Sequence, residues 1–143
     1  GSMGLASAMG LGLAIQAPNK RVFVLEGDGS ALMSLGTLPL IASERPANLV
    51  HIILDNEAYE STGGQASISS QFDLADTARS SGYPWTRRVE DLEELESALL
   101  EVAAADQLSL ILVKAGIAPV GGIPRVSHLP EQIRDRFRVA AQA

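Results

Sequence analysis

Two stretches of the chain, "RVFVLEG" at 21–27 and "NLVHIILD" at 48–55, are apolar at nearly every position instead of at every second one. A strand of this kind has two faces to cover, so it belongs inside a parallel sheet with helices packed on each side. The first is expected as a buried central strand at 21–26, the second as a strand at 48–55. "LSLILVKAG" at 108–116 repeats the pattern, and "PWTRRV" at 84–89 is a further strand candidate.

Helical signals lie between these runs. "GLASAMGLGLAIQA" at 4–17 carries small and apolar residues and no charge, which predicts a helix buried on most sides and closely approached by other backbone, ended by Pro18-Asn19. "SALMSLGTLPLIASE" at 30–44 predicts a helix with a polar cap, irregular around Gly36 and Pro39. Asp73 and Asp91 cap two later helices, the second clearly amphipathic, and Pro130 sits near the first turn of a C-terminal helix. Strand and helix alternate throughout, without internal repeats. This predicts one α/β domain over residues 1–143, a doubly wound, mostly parallel sheet with helices on both faces.

Composition narrows the partners. A net charge of -6 and a pI near 4.8 give no general attraction to phosphate backbones or anionic lipid, so neither nucleic acid nor a membrane surface is expected. The absence of cysteine excludes disulfides, thiolate metal sites and a Cys nucleophile, and suits a reducing cytoplasm. No apolar run approaches the roughly 20 residues of a membrane span, and no basic signal-peptide start is present. A soluble cytoplasmic protein is expected. The opening "GSM" reads either as the scar of a cleaved expression tag or as native sequence.

In open α/β sheets ligands sit at the carboxyl ends of strands. "GDGS" at 27–30 directly follows the first strand and Asp55-Asn56 ends the second, with 25 residues between Gly29 and Asp55. Gly27 and Gly29 permit a tight turn and close backbone approach, and the following helix offers free N–H groups to an anion. Asp28 supplies a hard carboxylate and Asn56 a neutral amide oxygen, ligands that suit Mg²⁺ held partly by phosphate oxygens. Either motif alone is an ordinary turn; together they describe a metal-bridged diphosphate site. The segment 56–72, "NEAYESTGGQASISSQF", is too long for a routine connection and is expected to be functional.

These residues resemble the thiamine diphosphate (ThDP) enzymes, whose fingerprint is a GDG followed downstream by a closing Asn. Asp-Asn stands here where Asn-Asn is commoner, and the final Asn is the usual side-chain ligand. The resemblance implies the ThDP-binding fold and a site in which Asp28, Asn56 and the main-chain carbonyl of Ala58 bind Mg²⁺. Gly29 and Ser30 would contact the diphosphate beside Gly27. It extends to "GSMG": Met3 would wedge under the cofactor and enforce its bent shape, Gly1 would offer its carbonyl to the cofactor's amino group, and Ser2 would lie between them. This favours native sequence for "GSM".

A narrower resemblance, over nearly the whole chain, is to the sulfopyruvate and phosphonopyruvate decarboxylases. It is carried by "GDGSALMSLGTL", "LDNEAYESTGGQ" and "PRVSHLPEQIRDRF". It implies removal of CO₂ from a small anionic 2-oxo acid, and it makes Ser61, Thr62, Gly63, Gly64 and Gln65 candidates for a loop facing substrate or diphosphate. In that family the carboxylate that activates the aminopyrimidine comes from a separate pyrimidine-binding domain or subunit. Glu57 and Glu60 are read as loop residues. The chain is therefore expected to be the diphosphate-binding half of a composite site, inactive alone and completed in a homo- or hetero-oligomer, as a natural subunit or as a fragment of a fused enzyme. Family members carry a further N-terminal segment, whose absence is expected to leave an open edge. Two alternatives stay open: the cofactor subunit of another ThDP enzyme, carboligase or 2-oxo acid oxidoreductase, and a degenerate, non-catalytic module.

Other features have plainer readings. His51 is expected as a packed or hydrogen-bonded core residue, His128 has no spaced partners for zinc, and Arg87-Arg88 is a solvated strand edge. "GLGLA" at 10–14 lacks the third glycine and the preceding strand of a dinucleotide-binding loop.

Overall fold

The structure is a computed structural model and describes residues 3–117, 121–122, 124 and 126–142. Helix α1 (Ala6–Gln16) leads into β1 (Val22–Gly27), α2 (Asp28–Met33), α3 (Thr37–Glu44) and β2 (Leu49–Asp55). A small hairpin, β3 (Ala58–Tyr59) and β4 (Gln65–Ala66), precedes α4 (Leu74–Ser81), β5 (Trp85–Val89), α5 (Leu92–Ala104), β6 (Ser109–Lys114) and α6 (Pro130–Gln142). The main sheet has the order β1-β2-β6-β5 and every pairing in it is parallel.

The helix starts follow from side-chain chemistry. Asp73 accepts the N–H of Asp76 at 2.9 Å and Asp91 that of Glu94 at 2.8 Å, each satisfying a donor that a helix leaves free. Gly82, at φ 110°, closes α4 in the left-handed conformation that a Cβ disfavours. The expected helix at 30–44 is two helices. Its break falls at residues 34–36, while Pro39 occupies the first turn of α3, where its missing N–H costs no hydrogen bond.

Two cores sandwich the sheet. Leu49, Ile53, Leu110 and Leu112 pack under α1, α3 and α4; Val50, Ile52, Ile111 and Val89 pack under α5. This confirms a parallel α/β sheet with helices on both faces. The expectation of a central strand at 21–26 is corrected: β1 is the edge of the described sheet. Val22 and Val24 are buried under α1, whereas Phe23 and Leu25, on the other face, are 49% and 62% exposed. The continuous apolar run asks for two covers, and the described residues supply one. Helix α1 likewise buries only Ser7, Leu11 and Ala14 and leaves Met9 and Ile15 exposed, so it is covered on one side and not on most. Its close approach is to a side chain: a Cβ on Gly10 would stand 2.1 Å from Cγ2 of Val24. No described helix is long and apolar enough to cross a membrane.

Candidate functional site

The register of β1 and β2 builds the site. Gly27 lies opposite Leu54, so Asp28 and Asp55 leave neighbouring parallel strands at the same level. An open cleft of about 600 Å³ lies at these strand ends, in the size range of small-molecule sites. Met3, the four residues from Gly27 to Ser30 and Asn56 line it, and Ala58, Tyr59, Glu60 and Ser61 complete the wall. The structure thus brings together the expected cofactor residues from Met3 onward. Gly1 and Ser2 lie outside the described residues.

Asp28 is 1% exposed, and its Oδ2 accepts a hydrogen bond from the Ser67 hydroxyl. The hydroxyl of Ser69 lies 2.6 Å from Oδ1 of Asp55 and 3.1 Å from Oδ2 of Asp28; its single proton goes to the nearer oxygen. Oδ1 of Asp28 carries no hydrogen bond from the described residues. Lys114 donates to Oδ2 of Asp55 at 2.8 Å and to Oε1 of Glu57 at 2.6 Å. Burial works against the charge of Asp55, but the hydrogen bonds from Lys114 and Ser69, with the lysine's charge, hold its carboxyl below the ordinary range. The Asp that departs from the commoner Asn-Asn is therefore one half of an ion pair.

Two side-chain turns shape the next residues. Oδ1 of Asp55 accepts the N–H of Glu57 at 3.2 Å, and Oδ1 of Asn56 accepts that of Ala58 at 3.1 Å. They bend the chain so sharply that Glu57 takes a left-handed φ of 58°. In the hairpin, the N–H of Ser67 bonds the carbonyl of Glu57 at 2.9 Å, so the next pair, Ala58 and Ala66, is a non-hydrogen-bonded one. The carbonyl of Ala58 is thereby turned away from its partner strand and kept free of the ladder.

The remaining loop candidates have separate fates. Ser61 reaches the cleft. Thr62 donates to Oε1 of Gln65 at 3.1 Å and Gln65 returns a bond to the carbonyl of Thr62 at 3.4 Å, closing the tip over Gly63 and Gly64, which have φ of 136° and 76°. Ser30 donates its hydroxyl proton to Oε2 of Glu26 at 2.6 Å and accepts the N–H of Gly4 at 2.9 Å. Its side chain pins the Met3-Gly4 backbone to α2. Behind it, Nε2 of His51 lies 2.8 Å from Oε1 of Glu26, and both residues are buried, as the core reading of His51 expected.

Ser67, Ser69, Lys114 and the Glu26–His51 pair escaped the sequence reading. Only the alternating "SIS" at 67–69, following a long polar loop, offered a signal.

Of the residues lining the cleft, Asp28 carries a carboxylate, Asn56 an amide oxygen and Ala58 a main-chain carbonyl outside the ladder, all hard donors. Among the described residues no cluster of three His, Cys, Asp or Glu side chains stands ready to hold a metal. A cation here would take its other ligands from an anionic partner and from water, as Mg²⁺ does on a diphosphate.

The chain is 42% identical over 138 residues to a phosphonopyruvate decarboxylase of Streptomyces hygroscopicus, covering 96% of this chain and 34% of that protein. It is 39% identical over 137 residues to the sulfopyruvate decarboxylase subunit beta of Methanothermobacter thermautotrophicus, covering 96% of this chain and 70% of that subunit. It thus spans about a third of the length of the phosphonopyruvate decarboxylases it matches. Its fold aligns with a crystal structure of transketolase from Campylobacter jejuni at a TM-score of 0.62 and 19% identity, over 80% of this chain and 20% of that one. The model of the family "Thiamine pyrophosphate enzyme, C-terminal TPP binding domain" matches residues 1–113, and the chain belongs to that family.

Proposed function

We propose that the chain is the diphosphate- and Mg²⁺-anchoring half of a ThDP-dependent 2-oxo acid decarboxylase, converting sulfopyruvate to sulfoacetaldehyde and CO₂. Phosphonopyruvate is the alternative substrate. The observation that carries this reading is the row of oxygens at the strand ends: the free Oδ1 of Asp28, the amide oxygen of Asn56 and the unladdered carbonyl of Ala58. Relatives bearing both decarboxylase names support the reaction class.

When bound, ThDP supplies the nucleophilic carbon and the electron sink for loss of CO₂. The chain's own part is to hold and orient. Asp28, Asn56 and Ala58 would hold Mg²⁺ and, through it, the diphosphate, and Gly27 and Gly29 would let the backbone approach it. Ser30 would donate through its N–H, and Met3, pinned through Gly4, would support the cofactor. Ser61 with the Thr62–Gln65 tip would face the substrate. Glu57 is committed to Lys114, and Glu60 accepts from Asn56 at 3.2 Å, so neither is assigned to the aminopyrimidine. That carboxylate comes from a pyrimidine-binding domain or subunit, in a cytoplasmic homo- or hetero-oligomer.

The test is calorimetric titration with ThDP, with and without Mg²⁺, on the wild type and Asp28→Ala, followed by turnover of the assembled enzyme. Metal-dependent binding lost in Asp28→Ala, and CO₂ release from sulfopyruvate or phosphonopyruvate without an electron acceptor, are expected. Binding indifferent to both metal and Asp28, or turnover that demands an electron acceptor, would overturn the reading.

A further inference from the structure

We infer that Ser67 and Ser69 are positioning residues for the metal site: Ser67 occupies one oxygen of Asp28 so that the other is presented to the cation, and Ser69 fixes the neighbouring Asp55. The inference rests on Asp28 being a metal ligand and adds the device that orients it.

Two buried carboxylates leave adjacent strands side by side, and they are compensated differently. Asp55 has a cationic partner in Lys114. Asp28, 1% exposed, has no salt-bridge partner among the described residues and receives only the neutral hydroxyl of Ser67. A buried charge is paired or coordinates a metal, and the unpaired member, Asp28, is the one that lines the cleft. The serines settle which oxygen that is. With a single proton each, Ser67 spends its proton on Oδ2 of Asp28 and Ser69 on Oδ1 of Asp55, leaving Oδ1 of Asp28 without a donor. Hydrogen bonds of this kind fix the rotation of a ligating carboxylate, and their loss lowers metal affinity about 10- to 100-fold.

Position in the chain gives the clamp a second consequence. Asn56 and Ala58 stand at the start of the segment that carries Ser61 to Gln65, and Ser67 and Ser69 stand at its end. Both ends of the hairpin are tied to the same carboxylate row, so filling the site and ordering the hairpin are coupled. A purely local role also exists for Ser67, whose Oγ accepts the N–H of Ser69 at 3.3 Å as the cap of a short 3₁₀ turn. The experiment must separate cap from clamp.

In the assembled enzyme, the Mg²⁺ dissociation constant at saturating ThDP is measured for wild type, Ser67→Ala, Ser67→Thr and Ser69→Ala, beside the metal-free Tm of each. Ser67→Ala is expected to weaken Mg²⁺ binding by about tenfold or more, and Ser67→Thr, which keeps the hydroxyl, to restore it. Ser69→Ala, acting on the neighbour, is expected to weaken it less. Hydrogen exchange at 58–66 is expected to slow on adding Mg²⁺ and ThDP to the wild type, and to slow less in Ser67→Ala. If Ser67→Ala does not fold, comparison of Ser67→Thr with Ser67→Cys, a weaker donor of similar size, reads the same effect. Wild-type affinity for Mg²⁺ in Ser67→Ala, or a Tm loss unaccompanied by a change in metal binding, would overturn the clamp alone. Failure of the wild type to bind Mg²⁺ with ThDP would overturn the clamp together with the role of Asp28.

Discussion

Nζ of Lys114 lies 2.8 Å from Oδ2 of Asp55, joining the ends of β6 and β2 beside the cleft. The aspartate side chain is 3% exposed and the lysine side chain 19%, so removing the cation leaves a mostly buried charge behind. Lys114→Met is expected to destabilise the fold by about 2 kcal/mol at pH 7, and Asp55→Asn in the same chain to recover most of it. The pH dependence has a definite sign. The carboxyl of Asp55 sits below its ordinary range, so its contribution is full above the unfolded pKa of about 3.9 and is lost as pH falls through the folded value. Burial works against the charge of Lys114, but its bonds to Asp55 and Glu57 raise its pKa, so its contribution is full at neutral pH and lost only as strong alkali is reached. Urea unfolding at pH 7 and pH 3 checks this: the gap between wild type and Lys114→Met narrows in acid.

Two glycines in α1 predict opposite outcomes. A Cβ on Gly10 would stand 2.1 Å from Cγ2 of Val24, inside the buried face of β1, whereas a Cβ on Gly12 meets nothing within 4 Å. Gly10→Ala is expected to cost about 1–3 kcal/mol through overpacking. Gly12→Ala is expected to stabilise by up to about 1 kcal/mol through helix propensity. Thermal denaturation of the two single variants reads both signs.

What could be read in advance was chemistry that neighbours in sequence share. Gly27, Asp28 and Gly29 follow an apolar run, Asp55-Asn56 ends another, and Asp73 and Asp91 precede their helices, so the strand-end turns and the helix caps were legible together. The edge position of β1 was not. The run at Val22–Gly27 shows that both faces need cover but not which residues provide it, and in the structure Phe23 and Leu25 stay exposed. The serine clamp and the Lys114 pair were hidden for another reason. Ser67 is 39 residues from Asp28 and Lys114 is 59 from Asp55, and only the strand order brings them together. Residues such as Ser67 look like solvated loop until the hairpin folds back.

His51 and Glu26 make a prediction about stability rather than chemistry. Burial opposes the Glu26 charge, yet the bonds from His51 and Ser30 outweigh it and hold the carboxyl below its usual range; burial and the Glu26 charge also push the phenol of Tyr83 up. Removing the ring strands a buried carboxylate. His51→Leu is expected to cost about 3 kcal/mol and His51→Gln, which keeps a donor, about 1 kcal/mol. Denaturant midpoints with unchanged m-values would confirm it; a cost from His51→Leu no greater than from His51→Gln would show that the pair is not what holds this part of the sheet.

Gly29 and Tyr59 form the last pair with a testable consequence. A Cβ on Gly29 would lie 2.5 Å from two carbons of the Tyr59 ring, and both residues border the cleft. Gly29→Ala must therefore push the ring aside and, with it, the β3 strand that carries Ala58. With the site as proposed, the expected result is at least a tenfold loss in affinity for ThDP with Mg²⁺, because the Ala58 carbonyl would move and the diphosphate would be kept from the backbone. If displacement of the ring is the cause, trimming it relieves the clash: Gly29→Ala with Tyr59→Ala is expected to recover part of the lost affinity, and more of it than Tyr59→Ala alone would gain. Calorimetric titration of the three variants decides between ring displacement and direct obstruction. A double variant as weak as Gly29→Ala would place the whole effect on the added methyl at the cofactor.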